Sequence, residues 1–358
     1  MRILYGVVGE GLGHAIRSRV VLEELVKRHQ VHVVVSGRAH DFLLKTMGDR
    51  LGVTRIWGWS LAYKNNAVDA RETALYNLRG ALGGVPRNVR AYFEVVGRFA
   101  PELVISDFES WSTVFAHLHG LPVVSIDNMQ SIARCRHPRD VYRGLQAEYS
   151  MIRAIVNIKV PGAVHYHIAT FFYPPVTARK TTLHPPILRP EILGARTSEG
   201  EHLLVYQTST SHTALPGLLK AAGIPCRVYG LRRDLTADVA DGPLLYRPFS
   251  ERTFIDDLAS ARGVIANGGF TLMGEAVYLR RPMLALPIAK QFEQTFNARY
   301  LERAGYGMCA EVLTRERLLE FMRRLPELRR NLEGYTQDGN THLFAGLERT
   351  LATIAQRG

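Results

Sequence analysis

ARGVIANGGFTLMGEAVYLRRPMLALPIAKQFEQTFNARYLERAGYG, residues 261–307, decides the fold. Its short apolar run Gly263 to Ala266 reads as a buried strand. Gly268 and Gly269 then let the backbone approach a ligand closely, and Phe270 to Leu279 carries a helical pattern. The first-turn amides of such a helix are unpaired and point at one spot, which makes an anion site, most simply for a diphosphate. Glu275 falls about a turn further on, where a carboxylate can accept two hydrogen bonds from a ribose diol. After a second apolar run, Pro282 to Leu286, the loop presents Glu293 and Gln294 side by side, with Asn297 three residues later. All three are hydroxyl-binding side chains, suited to a sugar.

The same alternation extends in both directions. Toward the C-terminal half, His202 to Tyr206 and Pro225 to Tyr229 are further strand-like runs. In the first half, Arg2 to Val8, Val31 to Ser36, Glu102 to Ser106 and Pro122 to Ile126 read as buried strands, with helices from Ala15 to Arg28 and from Trp111 to His119. Short buried strands separated by helices predict parallel sheets covered on both faces. Between the halves, five prolines lie from Pro174 to Pro190, followed by Gly194 and Gly200. That composition reads as a linker. The chain of 358 residues is therefore expected to hold an N-terminal domain over 1–180, a linker over 181–200 and a C-terminal domain over 201–358. The last helix is a candidate to pack back on the first domain.

Hydrophobic residues make up 46% and charged residues 22%, an ordinary globular composition that argues against disorder. The N-terminus enters a strand pattern at once, without a signal-peptide layout, and no apolar run is long enough to span a bilayer. A cytoplasmic chain is expected. Cys135, Cys226 and Cys309 are isolated and read as reduced packing residues. The net charge of +12 is unevenly placed, with 24 Lys and Arg against 14 Asp and Glu in residues 1–190, and 21 against 19 in 191–358. A positive first half suits an anionic acceptor, a phosphorylated substrate or the inner face of a membrane. Segments 74–99 and 150–160 interleave Arg and Lys with apolar residues, as a peripheral membrane patch does and as an ordinary amphipathic helix also does. A nucleic-acid module would need an aromatic-and-basic stacking surface, which is not evident.

GEGLGHAIRS, residues 9–18, follows the first strand. A dinucleotide fingerprint needs glycine at position 14 and an acidic residue after the second strand, but His14 and Ser36-Gly37-Arg38 stand there. Arg38 leaves an NADP site as a minor alternative. A Walker loop fails because no Gly-Lys-Ser/Thr follows.

The ordered set Asn267-Gly268-Gly269, Glu275, Pro282, Glu293-Gln294 and Asn297-Ala298 closely resembles the nucleotide-sugar half of GT-B glycosyltransferases. Those enzymes form the superfamily of the UDP-glycosyltransferases and the lipid II-forming N-acetylglucosaminyltransferase. The resemblance implies α/β architecture, with two Rossmann-like doubly wound parallel-sheet domains facing across a cleft. It implies that the turn Asn267 to Phe270 holds the donor diphosphate, Glu275 the ribose, and Glu293, Gln294 and Asn297 the donor sugar. YRPFSERTFIDDLASA, residues 246–261, resembles the segment that flanks the nucleobase, here at Pro248 and Phe249. TSTSH, residues 208–212, resembles a second phosphate-contacting turn, at Ser209 and Thr210. Many relatives have histidine where this chain has Asn267, which removes a charged phosphate contact but leaves the backbone site.

For the first domain the resemblance implies an acceptor loop with His14 as catalytic base, paired with Asp107 just past a buried strand. Moving a sugar from a nucleoside diphosphate to a hydroxyl requires a proton to leave that hydroxyl, and histidine titrates in the range that suits this. Glu10 and Glu109 are weaker candidates for that work. Gly11, Gly13, Asn128, Gln130, Trp57 and Trp59 are candidate acceptor contacts. No D-x-D pair occurs and the His165-x-His167 pair lacks a third ligand, so neither a metal nor any other cofactor is expected. The reading is an inverting, metal-independent glycosyltransferase acting on a UDP-sugar or dTDP-sugar and a hydroxyl acceptor. A sugar-nucleotide epimerase of the same architecture is the alternative.

Overall fold

The computed structural model describes residues 1–9, 11–58, 63–64, 67–68, 83–207 and 214–356. They form two compact units, one of Met1–Ala62, Asp69–Arg189 and Asp338–Gly358, the other of Tyr63–Val68 and Pro190–Gln337. Each has a seven-stranded sheet at its centre.

In the first unit the strands run, edge to edge, Gly52–Arg55, Gln30–Val35, Arg2–Val7, Leu103–Asp107, Val123–Asp127, His165–Ala169 and Thr181–His184. All neighbours are parallel. Every residue of Leu103–Asp107 and Val123–Asp127 is buried, as a sheet covered by helices on both faces requires. The chain grows outward from Arg2–Val7 in one direction and then, from Leu103–Asp107, in the other. Ligands of open α/β sheets bind beyond the carboxyl ends of the strands at such a reversal.

The second unit repeats the plan. Its order is Val239–Asp241, Leu244–Tyr246, Cys226–Tyr229, Leu203–Tyr206, Gly263–Ala266, Met283–Ala285 and Gly307–Cys309. Only the pair Val239–Asp241 and Leu244–Tyr246 is antiparallel. The order reverses between Leu203–Tyr206 and Gly263–Ala266, which places the diglycine turn at the switch point.

Two parts of the layout are set by contacts far apart in the sequence. Thr181–His184, in the stretch whose composition reads as linker, is the edge strand of the first sheet. The prolines at 174, 175, 185, 186 and 190 flank it, and the strand itself carries none, so its ladder is intact. The helix Thr341–Ala355 belongs to the first unit although it follows the second in sequence. It buries Leu343, Leu347, Leu351 and Ile354, and it is tied to the sheet by a row of histidines. His167 Nδ1 lies 2.9 Å from His184 Nε2, His184 Nδ1 lies 3.0 Å from His342 Nδ1, and His167 Nε2 lies 3.0 Å from the Thr350 hydroxyl. That hydroxyl donates to the Gly346 carbonyl, so one proton per ring, all pointing toward Thr350, satisfies every contact. Gly346 keeps the helix close, since a Cβ there would sit 3.0 Å from the His184 ring. Among the described residues no helix is long and apolar enough to cross a membrane.

Candidate functional site

The helix Leu12–Leu25 starts at Gly11, whose φ of 143° favours glycine. Gly9 serves the loop differently, because a Cβ there would sit 2.1 Å from the Ser36 carbonyl oxygen at the end of the neighbouring strand. The glycines before His14 therefore shape the backbone. His14 stands in the first turn, and its Nδ1 lies 2.9 Å from Asp107 Oδ1. Asp107 ends its strand directly beside Val7 in register, so the pair sits at the sheet's switch point. The histidine side chain keeps 16% exposure while the carboxylate has 1%. Arg17, one turn along the helix, donates from Nε to Asp107 Oδ2 at 3.0 Å and from Nη2 to Oδ1 at 2.5 Å. Ser18 donates to Oδ2 at 2.8 Å. Burial pushes the Asp107 carboxyl up, but Arg17 and His14 beside it overcome that and hold it well below the usual carboxylate range. Asp107 is followed by Phe108 with φ 56°, a conformation an aromatic residue adopts at some cost in strain.

Other candidates on this edge are engaged in the framework. Asn128 is buried, and its Oδ1 accepts from Arg17 Nη1 at 2.5 Å. Gln130 is fully buried, donating to the Val156 carbonyl and accepting from Arg134, so it braces helices and does not face an acceptor. Glu109 caps the helix Ser110–Leu118 by accepting from the amides of Trp111 and Ser112 at 2.7 and 2.6 Å, which takes it away from the base role. Burial raises its carboxyl. The Trp57 backbone is clamped by the Asn88 amide. Gly13 lies within the helix Leu12–Leu25. Glu10 and Trp59 lie outside the described residues, as do Ser209 and Thr210.

In the second unit the turn after Gly263–Ala266 leads into the helix Phe270–Tyr278, with Gly269, which has no side chain to offer, at its N-cap. Gly268 must be glycine because a Cβ would meet the Gln294 backbone oxygen at 2.4 Å. Gln294 Oε1 accepts from the Gly268 amide at 3.2 Å and from the Ile288 amide at 3.0 Å. Asn297 Nδ2 donates to the Gly268 carbonyl at 3.3 Å, and the residue is 2% exposed. Both side chains thus hold the diglycine turn, and Asn297 lies behind it where a sugar was expected. Glu293 is half-buried beside them in the first turn of the helix Phe292–Arg303. Glu275 is buried on the inner side of its helix.

Phe249 is 60% exposed beyond the strand Leu244–Tyr246, its ring 5.8 Å from that of Phe254, and Pro248 beside it is half-buried. Buried Asp257 gathers Arg227, Arg247 and the Tyr229 hydroxyl, which fixes the helix Glu251–Ser260 beneath that segment. Two residues stand out that the motif reading passed over or discounted. Gln207 leaves the strand end next to Asn267, since Tyr206 and Ala266 are in register. Gln207 is fully buried, and neither its side-chain amide nor that of Asn267 has a hydrogen-bond partner among the described residues. A polar residue directly after a buried strand at a sheet reversal was the available signal for Gln207. For Arg17 the signal was its place three residues after His14, on the same helix face.

The three cysteines are free. Among the described residues no three of His, Cys, Asp or Glu are placed to hold a metal ion.

The model of glycosyl transferase family 1 matches residues 1–326. An uncharacterised glycosyltransferase of Methanosarcina mazei is 24% identical, over 91% of this chain and 90% of its own length. A UDP-N-acetylglucosamine–N-acetylmuramyl-(pentapeptide) pyrophosphoryl-undecaprenol N-acetylglucosamine transferase of Bacillus cereus is 33% identical over 88 residues, 23% of this chain and 24% of the relative. Among solved structures, the glycotransferase of kitacinnamycin superposes with a TM-score of 0.65 at 19% identity, covering 97% of this chain and 98% of the other. Two doubly wound α/β units and these likenesses agree with GT-B architecture. The chain belongs to glycosyl transferase family 1 and is a glycosyltransferase.

Proposed function

We propose that this glycosyltransferase transfers a sugar from a nucleoside diphosphate, UDP in the first instance, to a hydroxyl acceptor with inversion at the anomeric carbon. The observation that carries the mechanism is the His14–Asp107 contact at the switch point of the first sheet. With Nδ1–H donating to Asp107, Nε2 presents a lone pair and takes the acceptor proton as the oxygen attacks the anomeric carbon. The bond from that carbon to the phosphate oxygen breaks, the nucleoside diphosphate leaves, and the proton stays on His14. The positive N-terminal end of the helix Phe270–Tyr278, which follows the glycine cap, supplies charge to the departing diphosphate in place of a cation.

The side-chain amides of Gln207 and Asn267, which have no hydrogen-bond partner among the described residues, support a donor site there. A buried polar group without a partner costs about 1–3 kcal/mol, which ligand oxygens would offset. Glu275 takes the ribose, Phe249 and Pro248 flank the base, and Glu293 with the remaining polar atoms of Gln294 reads the sugar. UDP is favoured because the similar Bacillus cereus enzyme carries a UDP-sugar in its name. A thermal-shift screen against UDP, dTDP, GDP and NADP, followed by hydrolysis of the sugar nucleotides of the winner, tests this. Stabilisation by NADP alone would overturn the donor assignment. Glu275→Ala is expected to weaken UDP binding about tenfold or more, since two hydrogen bonds to a charged group are lost. Calorimetry showing equal affinity would remove the ribose role.

The acceptor side faces an anionic or lipid-linked partner in this reading. Val85, Val89 and Phe93 are exposed on the helix over residues 83–94, interleaved with exposed Arg87 and Arg90. Leu118, Met151 and Ile158 are likewise exposed on the two following long helices. Such a surface suits peripheral contact with an anionic bilayer. The protein is expected to sediment with phosphatidylglycerol vesicles and not with phosphatidylcholine vesicles. Equal recovery in both supernatants would dismiss the membrane contact.

A further inference from the structure

We propose that Arg17 is a positioning residue for this reaction, fixing the Asp107 carboxylate toward His14 while offsetting its charge beside the ring. The inference rests on the assignment of His14 as the base. Four donors surround Asp107, which fills its acceptor directions: His14 Nδ1 and Arg17 Nη2 at Oδ1, Arg17 Nε and Ser18 Oγ at Oδ2. The two-pronged contact sets the plane of the carboxylate, as guanidinium forks do. Nη1 is in turn held by Asn128 Oδ1, so one guanidinium ties the helix Leu12–Leu25 to the ends of two adjacent strands.

His14 Nδ1 lies 2.9 Å from Asp107 Oδ1 and 2.7 Å from Arg17 Nη2, and it cannot serve both. Carrying the proton, it donates to the carboxylate and leaves Nε2 as a base. Without it, Nδ1 accepts from Arg17, and the proton moves to Nε2 and blocks that role. An ionised Asp107 favours the first arrangement. The positive guanidinium beside the ring then offsets the charge of the carboxylate there. Among the described residues, the groups facing this centre are Arg17 and Ser18 from the helix, Asp107 and Asp127 from the adjacent strands, and Tyr5 from Arg2–Val7. Burial, and then the charge of Asp107, push both the Asp127 carboxyl and the Tyr5 hydroxyl up. Arg17 is therefore the one cation among these groups that offsets Asp107.

The test is an imidazole ¹⁵N–¹H correlation on the ligand-free protein, with His14 assigned by its absence in His14→Ala. The wild-type protein is expected to show the Nδ1–H tautomer once His14 is neutral. In Arg17→Met the pH at which His14 takes up a proton rises by about one unit or more, and in Asp107→Asn it falls. Arg17→Lys, which keeps the charge, stays within about half a unit. Should Arg17→Met fail to fold, comparing Asp107→Asn with Arg17→Met/Asp107→Asn isolates the same effect, because the double variant leaves no unpaired buried charge and titrates at higher pH. An Nε2–H tautomer in the wild-type protein, or midpoints that do not move between these variants, overturns the role of Arg17. Unmoved midpoints leave the base assignment standing, whereas an Nε2–H tautomer would remove it as well. Full turnover in His14→Ala would remove the base assignment and leave the titration result intact.

Discussion

His14→Ala is expected to lower kcat by about 10²- to 10⁴-fold while leaving nucleotide affinity nearly unchanged. The size follows from the role: without an acceptor for the hydroxyl proton, the attacking oxygen must lose it to water, and the transition state keeps only positioning and the charge supplied at the diphosphate. The unchanged affinity follows from assigning the nucleotide to the diglycine turn of the second unit, while His14 belongs to the first. Turnover with the donor found by screening, measured alongside calorimetric binding of its nucleotide, reads both quantities. A variant with wild-type kcat would falsify the assignment of the base. One that lost nucleotide binding would mean that His14 touches the donor.

Acid is expected to destabilise the first unit well before the carboxylates titrate. Burial, and then the neighbouring imidazoles, lower His167 to about 2 and His184 to about 3, against an ordinary value of 6.5. These rings are neutral in the fold, so their contribution is complete above pH 6.5 and is lost as the pH falls below it toward the folded-state values. Each ring costs about 1.4 kcal/mol for every pH unit in that window, so two rings cost about 4 kcal/mol between pH 6.5 and 5. That is a large share of the roughly 5–15 kcal/mol that keeps a domain folded. The row of single protons running from His342 to Thr350 adds to the effect of burial, because an added proton sets one donor against another. Denaturant unfolding at pH 7.5, 6 and 5 measures the slope. His184→Gln should be less stable at pH 7.5 and show a shallower slope. A slope identical to wild type would assign the acid sensitivity elsewhere, for instance to His137 or His202, which burial also lowers. Asp107 acts in a separate window, because its depressed carboxyl loses its contribution only below about pH 4.

Strands such as Leu103–Asp107 and Val123–Asp127 were legible because a strand buried on both faces is a continuous apolar run, and the diglycine turn because its residues sit at fixed spacing. Thr181–His184 was not, since an edge strand of two threonines, a leucine and a histidine among prolines carries no such run. An apolar helix face does not name the sheet it will cover, so Thr341–Ala355 stood in the sequence only as a candidate to pack back on the first domain. Within the site, amide side chains were ambiguous. Asn128, Gln130 and Asn297 are as able to bind a hydroxyl as to bind backbone or guanidinium, and burial decides between the two.

The sequence by itself determined two doubly wound units, a diglycine turn opening a helix, and a histidine directly after the first strand, because these are local patterns of spacing and backbone freedom. Only the tertiary structure decided what stands around them. Asp107 is 93 residues from His14 and Asn128 is 111 from Arg17, and parallel pairing of strands distant in the chain brings all four to one sheet edge. At that edge a buried carboxylate must find a cation, and Arg17 meets that need beside His14.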